Sequence, residues 1–297
     1  MGRLIRGNNS ASHSGNQQAL IALTAGMLFW GATAYSAEQI KKDIPTGARP
    51  SLLLRNQNGA ISVKSWDRNQ IEVRANPSSD AMEVMIIPGE QRVTVQAHAR
   101  GEHAVPADAR VDFEILVPRE ATVHVDSERG EISVENVTGD IAIEGVSNSV
   151  GLRNLSGHIS VRTVDGPILL RACEGHIEAR SISGDLKFLH VNASELLAST
   201  NSGRINYEGD FGSAGHYIFN NYQSPIDIVA SEKASFELTA RAVQGSIESD
   251  IKFRPTPIGQ AFRRLTPGRF LQGLFRNGES TVLVTSYSGT IRVHGPR

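Results

Sequence analysis

The chain has 297 residues and a formal net charge of −1; 39% of its residues are hydrophobic but only 6% aromatic, with 28 glycines and one cysteine. That length allows a sizeable core, the glycine-rich, aromatic-poor composition suits strands and turns better than helices, and one cysteine excludes an intramolecular disulfide or a cysteine-cluster metal site. A near-neutral chain is also not the expected partner of nucleic acid, which demands a basic surface.

In chain order, Arg3 and Arg6 precede a polar stretch and then an apolar run over residues 19–34 that is rich in small side chains. Residues 1–37 read as an export signal with cleavage sites at Ala32, Ala34 and Ser36; because the run is short for a membrane span, an uncleaved anchor is the alternative. Either way the expected location is extracytoplasmic: periplasm, cell envelope or secreted. Residues 38–49, with Lys41, Lys42, Asp43 and Pro45, read as a polar linker before a domain over 50–297.

Period-two alternation begins at Ala60, Ile61, Ser62 and Val63 and recurs around Val73, Val93, Phe113 and Val123. Its irregular spacing makes 50–127 read as a loosely paired entrance. From 130 to 192 the spacing becomes strict. Glycine recurs at Gly130, Gly139, Gly157, Gly166, Gly175 and Gly184, with Asn148 in the one gap, and each opens the pattern Gly-x-Φ-x-Φ-x-x-Φ-x, where Φ is apolar. The third position reads Ile132, Ile141, Val150, Ile159, Ile168, Ile177 and Leu186. The eighth reads Val137, Val146, Leu155, Val164, Cys173, Ile182 and Val191. A strand and a turn repeated at fixed period predict an all-β, single-stranded β-solenoid in which third, fifth and eighth residues all enter the core. Cys173 occupies one of those slots and reads as a small core hydrophobe.

The register slips near Ser194, Glu195 and Leu196. Later rungs appear at 215–219, 225–228, 236–238 and 245–247, and 281–284 with 289–293 close the stack. Between them lies an excursion at 252–279. Lys252, Arg254, Arg263, Arg264, Arg269 and Arg276 fall there without an acid from 252 to 276, interleaved with Phe262, Leu265, Phe270, Leu271, Leu274 and Phe275. This segment reads as a cover for the end of the solenoid and as a candidate contact with an anionic, partly apolar surface, with Arg263, Arg264, Arg269 and Phe270 as its binding residues.

The units Asn58-Gly59-Ala60-Ile61-Ser62-Val63 with Trp66-Asp67, the stretch 113–118, the tandem Ser-Gly-x-Ile-x-Val units and the closing Ser288-Gly289-Thr290-Ile291-Arg292-Val293 together resemble the bacterial β-strand-repeat family of unknown function labelled putative adhesins. The resemblance covers about 50–297. It implies a right-handed, three-sided β-helix at the cell envelope with no catalytic residues to carry over. The sixth positions weigh coil size: stacking 27 residues apart puts Glu135 by Arg162 and Glu144 by Arg171 with one like-charged contact, Arg153 by Arg180, whereas 18 apart keeps two favourable contacts but adds two repulsive ones, Arg153 by Arg171 and Arg162 by Arg180. Three sides are thereby favoured over two.

The chemistry offered is sparse. A single glycine per repeat departs from the Gly-Gly-x-Gly-x-Asp calcium pattern. A polysaccharide lyase or hydrolase would draw on Asp126, Asp140, Asp165, Glu174 and Asp185, yet most of these occupy turn positions where Asp is expected for backbone reasons. His158 and His176 share the second position and read as solvated turn residues, with a 27-residue coil setting His158 between Glu131 and Asp185. No cofactor is expected. The expected function is an exported, non-catalytic solenoid presenting a rigid surface to an anionic envelope surface, a glycan or a protein. A carbohydrate-active enzyme and a structural or stress-response envelope component are the alternatives.

Overall fold

The nine-residue pattern folds as strand and turn, because its apolar third and fifth positions share one side and its glycines permit sharp reversal. The computed structural model describes residues 39–89, 91–100, 109–255 and 269–296, and no helix occurs among them. The leader, Arg263 and Arg264 lie outside the described residues. The first strands are β1 (Ile40–Pro45), β2 (Ser51–Asn58), β3 (Ile61–Trp66), β4 (Gln70–Pro77), β5 (Met82–Ile87), β6 (Arg92–Ala99) and β7 (Val111–Pro118). The strict repeats form β8 (Thr122–Glu135), β9 (Thr138–Arg153), β10 (Ser156–Asp165), β11 (Ile168–Arg171), β12 (Glu174–Ser181) and β13 (Leu186–Leu189). Then come β14 (Asn192–Thr200), β15 (Ile205–Gly209), β16 (His216–Asn221), β17 (Ile226–Ala230), β18 (Phe236–Ala242), β19 (Ile247–Ser249), β20 (Phe270–Phe275), β21 (Ser280–Ser286) and β22 (Ile291–His294).

Coil size differs from the expectation. Ile141 pairs in parallel with Val123 and Ile159, and Val150 pairs with Ile132 and Ile168, so one turn of the central coil takes 18 residues and two strands. The stack has two walls, not three sides. The repulsion counted against this arrangement is relieved by a carboxylate between the two guanidinium groups: Glu178 lies 3.0 Å from Arg162 and 2.9 Å from Arg180. Arg153 meets Glu135 directly at 2.8 Å. Contacts between exposed charges are individually weak, so they follow the coil rather than select it.

One wall stacks β6, β2, β8, β9, β10, β12, β14, β16, β21 and β18 in that order, all parallel. The opposite wall stacks β7, β3, the second halves of β8 and β9, then β11, β13, β15, β17, β22 and β19. Within residues 50–127, β2 with β3 and β6 with β7 therefore form coils of the stack rather than a loose entrance, while β4 and β5 lie outside them as edge strands. Both ends are wound out of chain order: β2 and β3 lie inside β6 and β7, and the C-terminal β21 and β22 slot between coils formed earlier in the chain. Exposed strand edges invite further pairing. Antiparallel strands cover three of them, with β5 on β6, β4 and then β1 on β7, and β20 on β18. Residues 40–45, read as linker, are thus the outermost strand of the second wall. Ile44 is buried there while Lys41, Lys42 and Asp43 are exposed, which is why their sequence looks polar.

The core is a continuous column between the walls. Ile159, Val161, Ile168 and Leu170 are all essentially inaccessible, as are their equivalents above and below. Toward the C-terminal end Ala179 and Ala198 narrow the first wall on the rungs where Phe188 and Tyr207 widen the second, so summed volume is kept along the column. The expected register slip is a bulge at Ser194, where Gly175 pairs with Ala193 but His176 pairs with Glu195.

Candidate functional site

Each coil reverses twice, and its two corners are built differently. At one, Asn136, Asn154, Ala172 and His190 take left-handed φ of 59°, 53°, 52° and 52°. Asparagine tolerates that conformation because its short amide can bond locally, and here Asn154 Nδ2 donates to Asn136 Oδ1 at 3.0 Å. The next residue turns inward, burying Val137, Leu155, Cys173 and Val191. Burial pushes the Cys173 thiol upward, away from a reactive thiolate.

At the other corner a small polar residue points inward instead. Ser127, Thr163, Ser181, Thr200, Asn221 and Ser286 are buried. Three of them accept from their own turn: the Gly184 N–H donates to Ser181 Oγ at 2.8 Å, the Gly203 N–H to Thr200 Oγ1 at 3.2 Å, and the Ser224 N–H to Asn221 Oδ1 at 2.7 Å. At this corner the residue after the inward one faces water, whether the inward residue is polar, as at Thr163, Ser181 and Asn221, or small and apolar, as at Gly145 and Ala242. Val146, Val164, Ile182, Tyr222 and Val243 are 48%, 44%, 52%, 50% and 40% exposed, and Tyr287 stacks on Tyr222 with centroids 4.6 Å apart and planes 2° from parallel. So three of the seven eighth-position residues expected in the core, Val146, Val164 and Ile182, lie outside it. They begin a ridge that passes Asn201, continues through the two tyrosines and ends at Val243.

The same corner explains the glycine spacing. A Cβ at Gly166 would be driven into the carbonyl oxygen of Asn148 one coil below, and φ there is +103°. At the Asn corner Gly157, with φ +128°, sits against the carbonyl oxygen of Gly139 in the same way.

Beside the ridge, the outer face of the first wall carries columns set by register. Glu144, Arg162, Arg180, Ser199, Asn220, Thr285 and Arg241 form one; Ser160, Glu178, Leu197, Ile218, Leu283 and Thr239 form the next. A third runs Asp140, His158, His176, Glu195 and His216, so His158 lies between Asp140 and His176 rather than between Glu131 and Asp185. The two imidazoles stack at 4.7 Å, and His176 Nδ1 is 3.1 Å from Glu195 Oε2. Among the described residues no group of three or more His, Cys, Asp or Glu side chains is arranged to hold a metal ion.

The acids offered for catalysis are spread over the stack and largely engaged in structure. Asp126 binds His124 at 2.7 Å and Arg55 at 3.2 Å; Asp165 accepts from the Gly166 N–H at 2.8 Å; Asp185 accepts from the Arg204 N–H at 2.7 Å. Asp140 stands in the histidine column, and Glu174 borders a polar groove near His190 and Asp210. The buried Glu72 sits at the covered end of the second wall. Burial alone would raise its carboxyl, but hydrogen bonds and charge from Lys41 and Arg74 hold it below the usual range. Asp250 is also held low, by the Gly295 N–H and His294.

Of the basic-segment residues, Arg269 is exposed and its Nη1 donates to the Val243 carbonyl at 3.2 Å, at the C-terminal end of the ridge. Phe270 opens β20 opposite Arg241. Leu271 and Phe275 of the same strand pack on the core.

Fold and surface together define a two-walled, β-solenoid-like protein with an extended exposed face. The Toastrack DUF4097 family matches residues 51–294, and the chain belongs to that family. Two solved structures align with it: a putative cell adhesion protein from Clostridium sporogenes ATCC 15579 and a putative adhesin from Bacteroides fragilis NCTC 9343. The first is 9% identical over 87% of this chain and 99% of that one, with a TM-score of 0.27; the second is 10% identical over 87% and 98%, with a TM-score of 0.40. No curated protein matches the chain. No helix among the described residues is long and apolar enough to cross a membrane.

Proposed function

We propose that this chain is an exported, non-catalytic, right-handed solenoid that binds a cell-envelope surface through its first wall and the ridge beside it. The observation that carries the reading is the ridge: five apolar or aromatic side chains at least 40% exposed, on a scaffold whose corner geometry holds them outward. Exposed apolar side chains gathered along one edge of a rigid protein mark an interaction site; here Asn201 divides them into an aliphatic stretch and a tyrosine-bearing one. Parallel stacking keeps it rigid over the length of the stack, and right-handed crossover is the hand that parallel strands adopt. The leader at 1–37 supports export. Names of the two similar structures agree with an adhesive role without establishing one.

The basic segment is a second contact in this reading, with Arg263, Arg264, Arg269 and Phe270 meeting an anionic headgroup or acidic glycan. Sedimentation of the full chain with isolated envelopes tests both contacts. Val164→Asp with Ile182→Asp should reduce binding at least tenfold with the melting temperature nearly unchanged; undiminished binding would overturn the ridge reading. Arg263→Glu with Arg264→Glu and Arg269→Glu should remove the salt-sensitive part of binding. If salt sensitivity persists in that variant, the basic segment only covers the end of the stack.

A further inference from the structure

The two tyrosines face a different neighbourhood from the rest of the ridge. Along the adjacent column, charge stops at Arg180 and resumes at Arg241; between them stand Ser199, Asn220 and Thr285, each half-buried, with Asn201 at the corner below Tyr222. These four side chains make no hydrogen bond to the protein among the described residues. They border a shallow hollow of about 260 Å³ whose lining includes Tyr222 and Tyr287 and carries no charged side chain. On its far side Leu197, Ile218 and Leu283 form an aliphatic strip, with Leu283 38% exposed.

We infer that this hollow is a binding site for a neutral glycan chain. The inference rests on the reading of the first wall as a binding surface and names the ligand class. A sugar ring presents C–H faces and a rim of hydroxyls, and needs an apolar or aromatic surface beside uncharged donors and acceptors. The tyrosine pair and the aliphatic strip supply the first, and the free amides and hydroxyls supply the second. An acidic ligand would find no cation in the lining. An apolar peptide would leave Ser199, Asn220, Thr285 and Asn201 desolvated without partners, which is unfavourable. Rungs about 4.8 Å apart repeat these groups along the stack, which suits a polymer rather than a single small molecule. Gln244 Nε2 donates to Tyr287 Oη at 3.1 Å and fixes that ring against Tyr222, so that the pair offers the sugar its outward edges.

The test combines an array of neutral and acidic glycans probed with the full chain, titration of the best neutral oligosaccharide, and sedimentation with envelopes treated with either periodate or protease. Neutral glycans should bind, Tyr222→Ala with Tyr287→Ala should weaken binding at least tenfold, and Asn220→Ala with Thr285→Ala should weaken it about fivefold. Periodate, which destroys sugar diols, should remove the part of envelope sedimentation that persists at high salt, and protease should not. Binding confined to acidic glycans, or neutral binding indifferent to the tyrosine variant while its circular dichroism and melting match the parent, overturns the inference. Envelope binding that survives periodate but not protease leaves the surface reading standing with a protein partner. No binding to untreated envelopes removes the surface reading itself.

Discussion

Two corners of the same coil receive the same spacing and do opposite things with its eighth residue. At the Asn corner the backbone enters the left-handed region and the following side chain turns in, giving Leu155 at 1% exposure; at the hydroxyl corner Ser181 points inward and bonds the turn while the next residue faces out, giving Ile182 at 52%. One corner therefore enlarges the core and the other builds surface. A protein that needed only stability would bury both columns. Spending one of them on solvent is what makes the hydroxyl corner the functional candidate.

The contrast is broken most severely by placing one charge at each corner. Leu155→Asp should cost about 3–5 kcal/mol, because an unpaired carboxylate enters the column, whereas Val164→Asp should stay within about 0.5 kcal/mol. Urea unfolding of the two variants measures the difference; equal midpoints would mean the corners are equivalent.

A smaller effect separates what holds each turn. Ser181→Ala leaves the buried Gly184 N–H without its acceptor and Thr163 Oγ1 without its partner at 3.1 Å, and should cost about 1–3 kcal/mol. Thermal unfolding should show this loss with the strand content unchanged; a stability equal to the parent would show that the hydroxyl does not close the corner.

The smallest expected change has the opposite sign. Ala172 holds φ of 52° with no amide to compensate, so Ala172→Gly should relieve about 1 kcal/mol of backbone strain, partly offset by the greater freedom of glycine in the unfolded chain. A net gain of about 0.5 kcal/mol is expected, measured by the same denaturation. Destabilisation would show that the Ala172 methyl contributes packing that its corner position does not suggest.

Much of this architecture was legible before the structure. The third and fifth positions predicted the buried columns, the bulge at Ser194 showed as a slip of register, and Cys173 was recognisable as a core residue. The glycines marked the turns because the carbonyl of the coil below leaves no room for a Cβ. The hydroxyl corner had a partial signal too: the seventh residue reads Asn136, Gly145, Asn154, Thr163, so asparagine alternates with small or hydroxyl-bearing residues before Ala172 and His190 break the pattern. Treating nine residues as the repeat averaged two unlike corners into one and hid the ridge.

By itself, then, the sequence determined which residues pair with a core and where the chain reverses, because apolar periodicity and glycine sterics act over a few neighbouring residues. Tertiary structure alone decided the number of walls, the stacking order of the ends and the face left to solvent. Those depend on which coils meet: β2 and β22 each lie between coils far from them in sequence, and Tyr222 meets Tyr287 only because the last coil inserts beside β16. Local patterning is identical for neighbouring and distant coils with the same columns, so the partner is chosen by closing the open ends of the stack, a requirement of the whole assembly rather than of any one repeat.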